Sequence, residues 1–410
     1  LRVATQSYTA TPPKESLAGN RNFLLLWTGQ FVSQLGDRLA MVAFPWLVYQ
    51  KTGSAFSTGV VLALYTLPYV LFGPFAGVVI DRFDKRRLMV VADLLRAGLV
   101  LGIALMAHPA LPLVFAVSFL MASVTVFFDP CKLSLLPDIV RPTQLVRANS
   151  FLTMGENLSE IIGYSVAGLV AYYLSARIAF VADSATFLVS GVALVLMVYT
   201  PPVRDAALRQ SRRILGQIRE GTAFLFWHRQ LAANTLLVIA AALGLGAAYP
   251  LTFLLAVDVL GQGTKAFGLM EAAVALGYFA GSAVLAGVGA RLRKGYAMTL
   301  GLSTMGASLV AVGLLHSLTA ILVAFLLLGL ANAAALIAID TFFQEAVPEH
   351  LRGRVWGVRF ALTQGAYALS VLAGGALAGA FDVQRLFIAA GLMVAIPGLI
   401  GLATRPVREI

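Results

Sequence analysis

Charge is scarce in this chain of 410 residues. Only 12% are Asp, Glu, Lys or Arg, against about 25% in soluble domains. Cysteine is almost missing. Cys131 stands alone, which excludes a disulfide scaffold. His108, His228, His316 and His350 are too scattered to build a metal-ligand cluster with one thiol. No Walker A loop is present, so ATP is not expected to drive the protein directly. No Gly-x-Gly-x-x-Gly follows a strand pattern either. No cofactor is implied. The same composition excludes a soluble enzyme and a disordered chain.

What is abundant is apolar: 59% of residues are hydrophobic. The apolar runs reach about 20 residues and do not alternate, which selects membrane-spanning helices over a barrel. They fall at roughly 22–49, 55–80, 87–107, 112–136, 148–174 and 177–200, then 231–257, 265–289, 295–315, 319–343, 355–380 and 384–403. The stretch 1–20 is polar and has no apolar core ahead of a small-residue cleavage site, so it reads as a cytoplasmic tail. The polar interval 201–229 is basic. Ile214, Leu215 and Ile218 stand against Arg212, Arg213 and Arg219 there, which predicts an amphipathic linker helix on the inner membrane surface.

The net charge is +11. Basic cytoplasmic loops account for it, and no nucleic-acid partner is expected. Of the 30 Lys and Arg, 24 fall in one alternating set of segments, Lys132 and Arg359 among them. The opposite set holds Lys51, Arg177, Lys265 and Arg385. Both termini are therefore expected in the cytoplasm, as an even number of spans requires.

The halves overlay on each other. At an offset of 211, Asp129 meets Asp340, Pro137 meets Pro348, and Ser159 meets Ser370. At 209, Gly59 meets Gly268, Tyr69 meets Tyr278, Arg82 meets Arg291, and Lys85 meets Lys294. Parallel repeats of this kind place a solute site near the midplane between them.

Between spans 2 and 3 stands Gly77-Val-Val-Ile-Asp81-Arg82-Phe-Asp84-Lys85-Arg86-Arg87. It resembles motif A of the major facilitator superfamily, with Asp84 in place of a glycine. The second-half copy, Ala290-Arg291-Leu-Arg293-Lys294-Gly295, lacks the acid. Phe23-Leu-Leu-Leu-Trp27, Ser33-Gln34-Leu-Gly36-Asp37, Phe127-Phe-Asp129-Pro130 and Val347-Pro348-Glu349 look like the macrolide and siderophore exporter branch. The resemblance runs from about residue 20 to 404. One departure is Gly163-Tyr164-Ser-Val-Ala167-Gly168, where related drug–proton antiporters often carry Gly-Pro-x-x-Gly-Gly.

The resemblance implies a cytoplasmic gate. Gly77 admits a neighbouring helix closely. Asp81 faces the positive N-terminus of span 11. Arg82 and Arg86 pair with Asp129 at the end of span 4, and Asp340 is the second-half counterpart.

Charged groups within spans are costly and mark function or partners. In span 1, Gln30, Gln34 and Asp37 share one face, with Arg38 beside them. In span 5, Asn149, Thr153, Glu156, Asn157, Glu160 and Tyr164 form a polar stripe that lipid cannot face. Glu156 and Glu160 suit a proton-coupling pair or a cation site. The alternative is a clasp to Arg38 or Arg359. Asp93 and Arg96 in span 3 read as a structural pair, and Asp183 as a structural acid near the outer surface. Glu271 in span 8 reads as a mouth or cavity residue. Trp46 and Tyr49 look like interface anchors. Tyr65 and Tyr69 suit either a cavity wall or ordinary packing.

The expected fold is all-α: twelve transmembrane helices in two pseudo-symmetric six-helix bundles. The boundaries are 21–200 and 230–404, a linker at 201–229, and tails at 1–20 and 405–410. The expected function is export of a small amphipathic molecule across a bacterial inner membrane by a monomer, coupled to the proton gradient. A lysophospholipid carrier and a non-transporting sensor or scaffold are the alternatives.

Overall fold

Several helices begin where the sequence supplies a cap. Asn20, Ser54, Asp84, Ser175, Ser317 and Asp382 each accept a hydrogen bond from a backbone N–H just inside the helix. Each bond satisfies one donor that a helix start leaves free. Gly53, at φ 58°, ends the first helix in the left-handed region. The computed structural model describes residues 17–199, 214–288 and 293–404, without the side chains of 74–82, 146, 214, 215, 217, 218, 286–288, 349 and 350.

Among the described residues the chain is helical throughout, with no strand. The first six helices are α1 (Arg21–Thr52), α2 (Ala55–Arg82), α3 (Lys85–Leu105), α4 (Leu111–Ile139), α5 (Leu145–Tyr173) and α6 (Ala176–Val195). A shorter α7 (Ile214–Trp227) follows. Then come α8 (Arg229–Leu254), α9 (Gly263–Val288), α10 (Lys294–Leu314), α11 (Leu318–Ala346), α12 (Glu349–Leu377) and α13 (Val383–Ala403). A π-helical turn, Leu255–Val259, extends α8. Among the described residues, ten helices are long and apolar enough to cross a membrane. Two helices of comparable length, α1 and α5, fall outside that set. They are the two whose sequences carry the polar stripes.

The packing scheme repeats. In the first bundle α1 lies on α5 and α6, α3 on α4 and α6, and α2 on α4. In the second, α8 lies on α12 and α13, α10 on α11 and α13, and α9 on α11. The same ionic staple closes each bundle. Lys85, at the start of α3, reaches Asp138 near the end of α4 at 2.6 Å. Lys294, at the start of α10, pairs with Glu345 near the end of α11.

The bundles meet through α2 with α12 and α5 with α9, a pair of crossings that the repeat exchanges. Glycines stand at both. A Cβ on Gly59 would lie 3.0 Å from the Gly375 Cα, and one on Gly168 would lie 3.0 Å from the Gly268 Cα. All four lie toward the end of the molecule where α1 finishes and α2 begins. Trp46 and Tyr49 belong to the same closure. Both pack on Phe253 of the other bundle, and the Tyr49 hydroxyl donates to Asp258 Oδ1 at 2.5 Å. They are thus contacts between the bundles, and the π-helical turn carries Asp258 to Tyr49.

The linker helix docks on the second bundle. Glu220 pairs with Arg354 of α12, and Gly221 sits against the Arg354 backbone. Its expected apolar face, Ile214, Leu215 and Ile218, and the basic Arg212 and Arg213 lie outside the described residues or side chains. So do most of the N-terminal tail, the end of the C-terminal tail, and Arg291.

Candidate functional site

The polar faces of α1 and α5 turn toward each other and toward α4. Together with the second bundle they enclose a cavity of about 670 Å³. The first bundle supplies its polar wall: Gln30, Gln34, Asp37 and Arg38 from α1, Asp129 and Lys132 from α4, and Glu156, Glu160 and Tyr164 from α5. The second bundle contributes Tyr249, Gln364 and Tyr367. Gln364 and Tyr367 also line a further chamber of about 320 Å³ within the second bundle, walled mainly by Val238, Leu245, Leu302, Met305, Leu336 and Ile339. One continuous lining therefore runs from charged to apolar.

Two ion pairs organise the polar wall. Arg38 meets Glu160 at 2.7 Å, donates to the Tyr164 hydroxyl at 3.4 Å, and lies over that ring. Lys132 meets Glu156 at 2.7 Å and stands 3.7 Å from Asp129. Gln34 Nε2 lies 3.5 Å from the same Glu156 oxygen, and the Tyr69 hydroxyl 3.5 Å from Asp129. The two glutamates of α5 are thus held by different cations instead of facing each other. Gln30 is buried and donates to Ser190 on α6 at 3.2 Å. Asp37 lines the cavity, and no described donor binds its carboxylate.

Deep in this wall, where Arg96 still borders the cavity, Asp93 and Arg96 pair at 2.5 Å with almost no exposure. The guanidinium lies 4.3 Å from the ring centres of both Phe128 and Phe187. Aromatic faces on both sides suit a planar cation in a buried place.

Several expected sites are assembled differently. Asn157 does not line the cavity, because one residue beyond Glu156 turns it about 100° around the helix. Glu271 lies early in α9 and outside the cavity lining, within electrostatic reach of Glu160 and Arg38. The expected pairing of Arg86 with Asp129 does not form. Arg86 instead donates to the backbone oxygens of Met197 and Val195 at 2.9 and 3.0 Å. There it satisfies carbonyls that the end of α6 leaves free. Asp129 lines the cavity instead, beside Lys132. Asp340 does not join a gate with it. It pairs with Arg359 at 3.3 Å in the wall of the apolar chamber, beside Phe343 and Trp356. The side chains of Gly77, Asp81 and Arg82 lie outside those described.

Lys132 is the wall residue that sequence reading assigned elsewhere, to a basic loop end. It sits two turns before the end of α4, only 6% exposed along its side chain. The signal available was its spacing, three residues after Asp129. Asp183 lies two turns into α6 and is fully buried within the protein.

The family model of transmembrane secretion effectors matches residues 16–409. The multidrug efflux pump Tap of Mycolicibacterium fortuitum is 27% identical over 406 residues, covering 94% of this chain and 96% of that protein. Macrolide efflux protein A of Streptococcus pyogenes is 26% identical over 383 residues, covering 91% and 93%. Among solved structures, a point mutant of the nucleoside transporter NupG superposes with a TM-score of 0.78 at 14% identity, covering 93% of this chain and 99% of that one. A bacterial homologue of the human lysosomal transporter Spinster, inward-facing and unoccupied, gives 0.73 at 15%, covering 98% and 99%.

Proposed function

The chain belongs to the transmembrane secretion effector family of the major facilitator fold, and from that premise we propose that it exports an amphipathic, positively charged small molecule by alternating access. The observation that carries this reading is the two-sided lining. Glu160 has Arg38, and Glu156 and Asp129 share Lys132, so among the described carboxylates that line the cavity Asp37 is the one without a partner. A cationic group seated there neutralises it, while the apolar body of the solute fills the chamber of the second bundle. The names of the relatives, pumps for multiple drugs and for macrolides, agree with a solute of that kind.

In this reading the twelve long helices all span a bacterial inner membrane, with the linker and both termini in the cytoplasm. The glycine crossings then stand at the outer end, and the structure is the inward-facing state. Binding, turnover and release are completed within one chain, so the working unit is a monomer. The proton gradient supplies the energy.

The test is transport in liposomes loaded with a pH dye, using macrolides, siderophores, cationic dyes and lysolipids in parallel. Cationic amphiphiles are expected to drive counter-movement of protons, and Asp37→Asn is expected to abolish it. Flux with lysolipids alone, or full flux in Asp37→Asn, would contradict this reading.

A further inference from the structure

Asp183 is a carboxylate that the cavity chemistry leaves unused. Its residue is fully buried, and neither carboxylate oxygen has a hydrogen-bond partner. It is pressed against α1 at Gly36, where a Cβ would lie 2.5 Å from Asp183 Oδ1. The next residue on α1 is Asp37, in the cavity wall and within electrostatic reach of Asp183. The Tyr65 hydroxyl of α2 is also buried without a partner, within reach of both carboxylates.

Among the described residues, every other charge near Asp183 is already engaged. From α3, Arg96 approaches it but is bound by Asp93. On its own helix, the Thr186 hydroxyl also lies within reach of the Asp183 carboxylate, but its one proton goes to the Asp183 backbone oxygen at 2.7 Å. On α5, Glu156 and Glu160 are held by Lys132 and Arg38. An ionised Asp183 would thus be a buried charge with no donor, beside a second carboxylate. Such a place is costly for a bare charge, and a proton removes the cost.

We propose that Asp183 is the proton-binding site of the carrier, with Asp37 as its link to the cavity. The inference rests on the export reading above. With the cavity empty, the two carboxylates share one proton, kept on Asp183. A cation seated against Asp37 compensates the second negative charge. Both carboxylates then ionise, and the proton leaves through Asp37 into the cavity. The exchange is one proton for one positive charge, and no bond other than O–H breaks.

The probe is tetraphenylphosphonium, a lipophilic cation that carries no proton of its own. Binding to the purified full-length protein is followed by calorimetry, and proton release by a pH indicator in weak buffer. Wild type is expected to bind and to release protons. Asp183→Asn, whose amide copies the neutral acid, is expected to bind and to lose the release. Equal release in Asp183→Asn, or binding without release in wild type, overturns this proposal while leaving cation export standing. No binding by wild type overturns both. If Asp183→Asn does not fold, infrared spectroscopy decides. The carbonyl stretch of a hydrogen-bond-free protonated carboxyl is expected to persist in Asp37→Asn, and its loss there places the proton on Asp37 instead.

Discussion

Asp93 and Arg96 separate structural charge from working charge at the scale of single residues. The pair has almost no exposure, and the guanidinium is held between two rings. Removing one partner strands the other, so Asp93→Leu is expected to destabilise the protein by about 3–5 kcal/mol. Arg96→Met is expected to do the same, and Asp93→Leu with Arg96→Met to restore most of the loss. Reversible unfolding of the four proteins in mixed micelles gives the coupling directly. Simple additivity in that cycle would contradict a paired structural role. The Lys132–Glu156 pair is different, since Glu156 is 40% exposed to the cavity. Water there screens the charge, so that pair bears on solute binding more than on stability.

Helices α1 and α5 are polar because they face the cavity, and the apolar helices around them meet lipid. Two glycine crossings hold α2 to α12 and α5 to α9 at one end. A side chain at Gly168 also collides with the backbone oxygen of Thr264 at 2.7 Å, so no rotamer relieves it. Gly168→Val is therefore expected to loosen that end. A cysteine placed at Tyr49, in a Cys131→Ser background, is expected to react faster with a polar thiol reagent in the Gly168→Val protein. An unchanged rate would mean that the crossing does not control closure. Helix positions were legible in the sequence, because caps such as Ser54 and Asp84 and runs of about 20 apolar residues act locally. Partners were not. Arg86 reaches the end of α6, more than 100 residues away, and a local motif carries no record of that distance. Lys132 looked like a loop charge because it lies only two turns from the end of α4. Asp183 looked peripheral because its burial depends on Gly36, in another helix.

The whole molecule is a repeated bundle with an asymmetric interior. The repeat was legible in pairs such as Gly59 with Gly268 and Lys85 with Lys294, and the structure gives both pairs equivalent contacts. The asymmetry was only half legible. The charges of the first bundle stand out against apolar helices, whereas the chamber of the second is built from ordinary Leu, Val, Ile and Met. Two bundles joined at one end, with a cavity between them, form the kind of architecture that rocks about a central site. The central claim is that the two ends open in alternation. The most direct test is a pair of spin-label distances in lipid, in a Cys131→Ser background. Labels at Lys51 and Gln262 report the joined end, and labels at Arg87 and Arg293 report the opposite end. A short first distance and a long second one are expected at rest, with a population of the reverse pattern when the transported cation saturates the site. Two distances that lengthen together, or that ignore the solute, would contradict it.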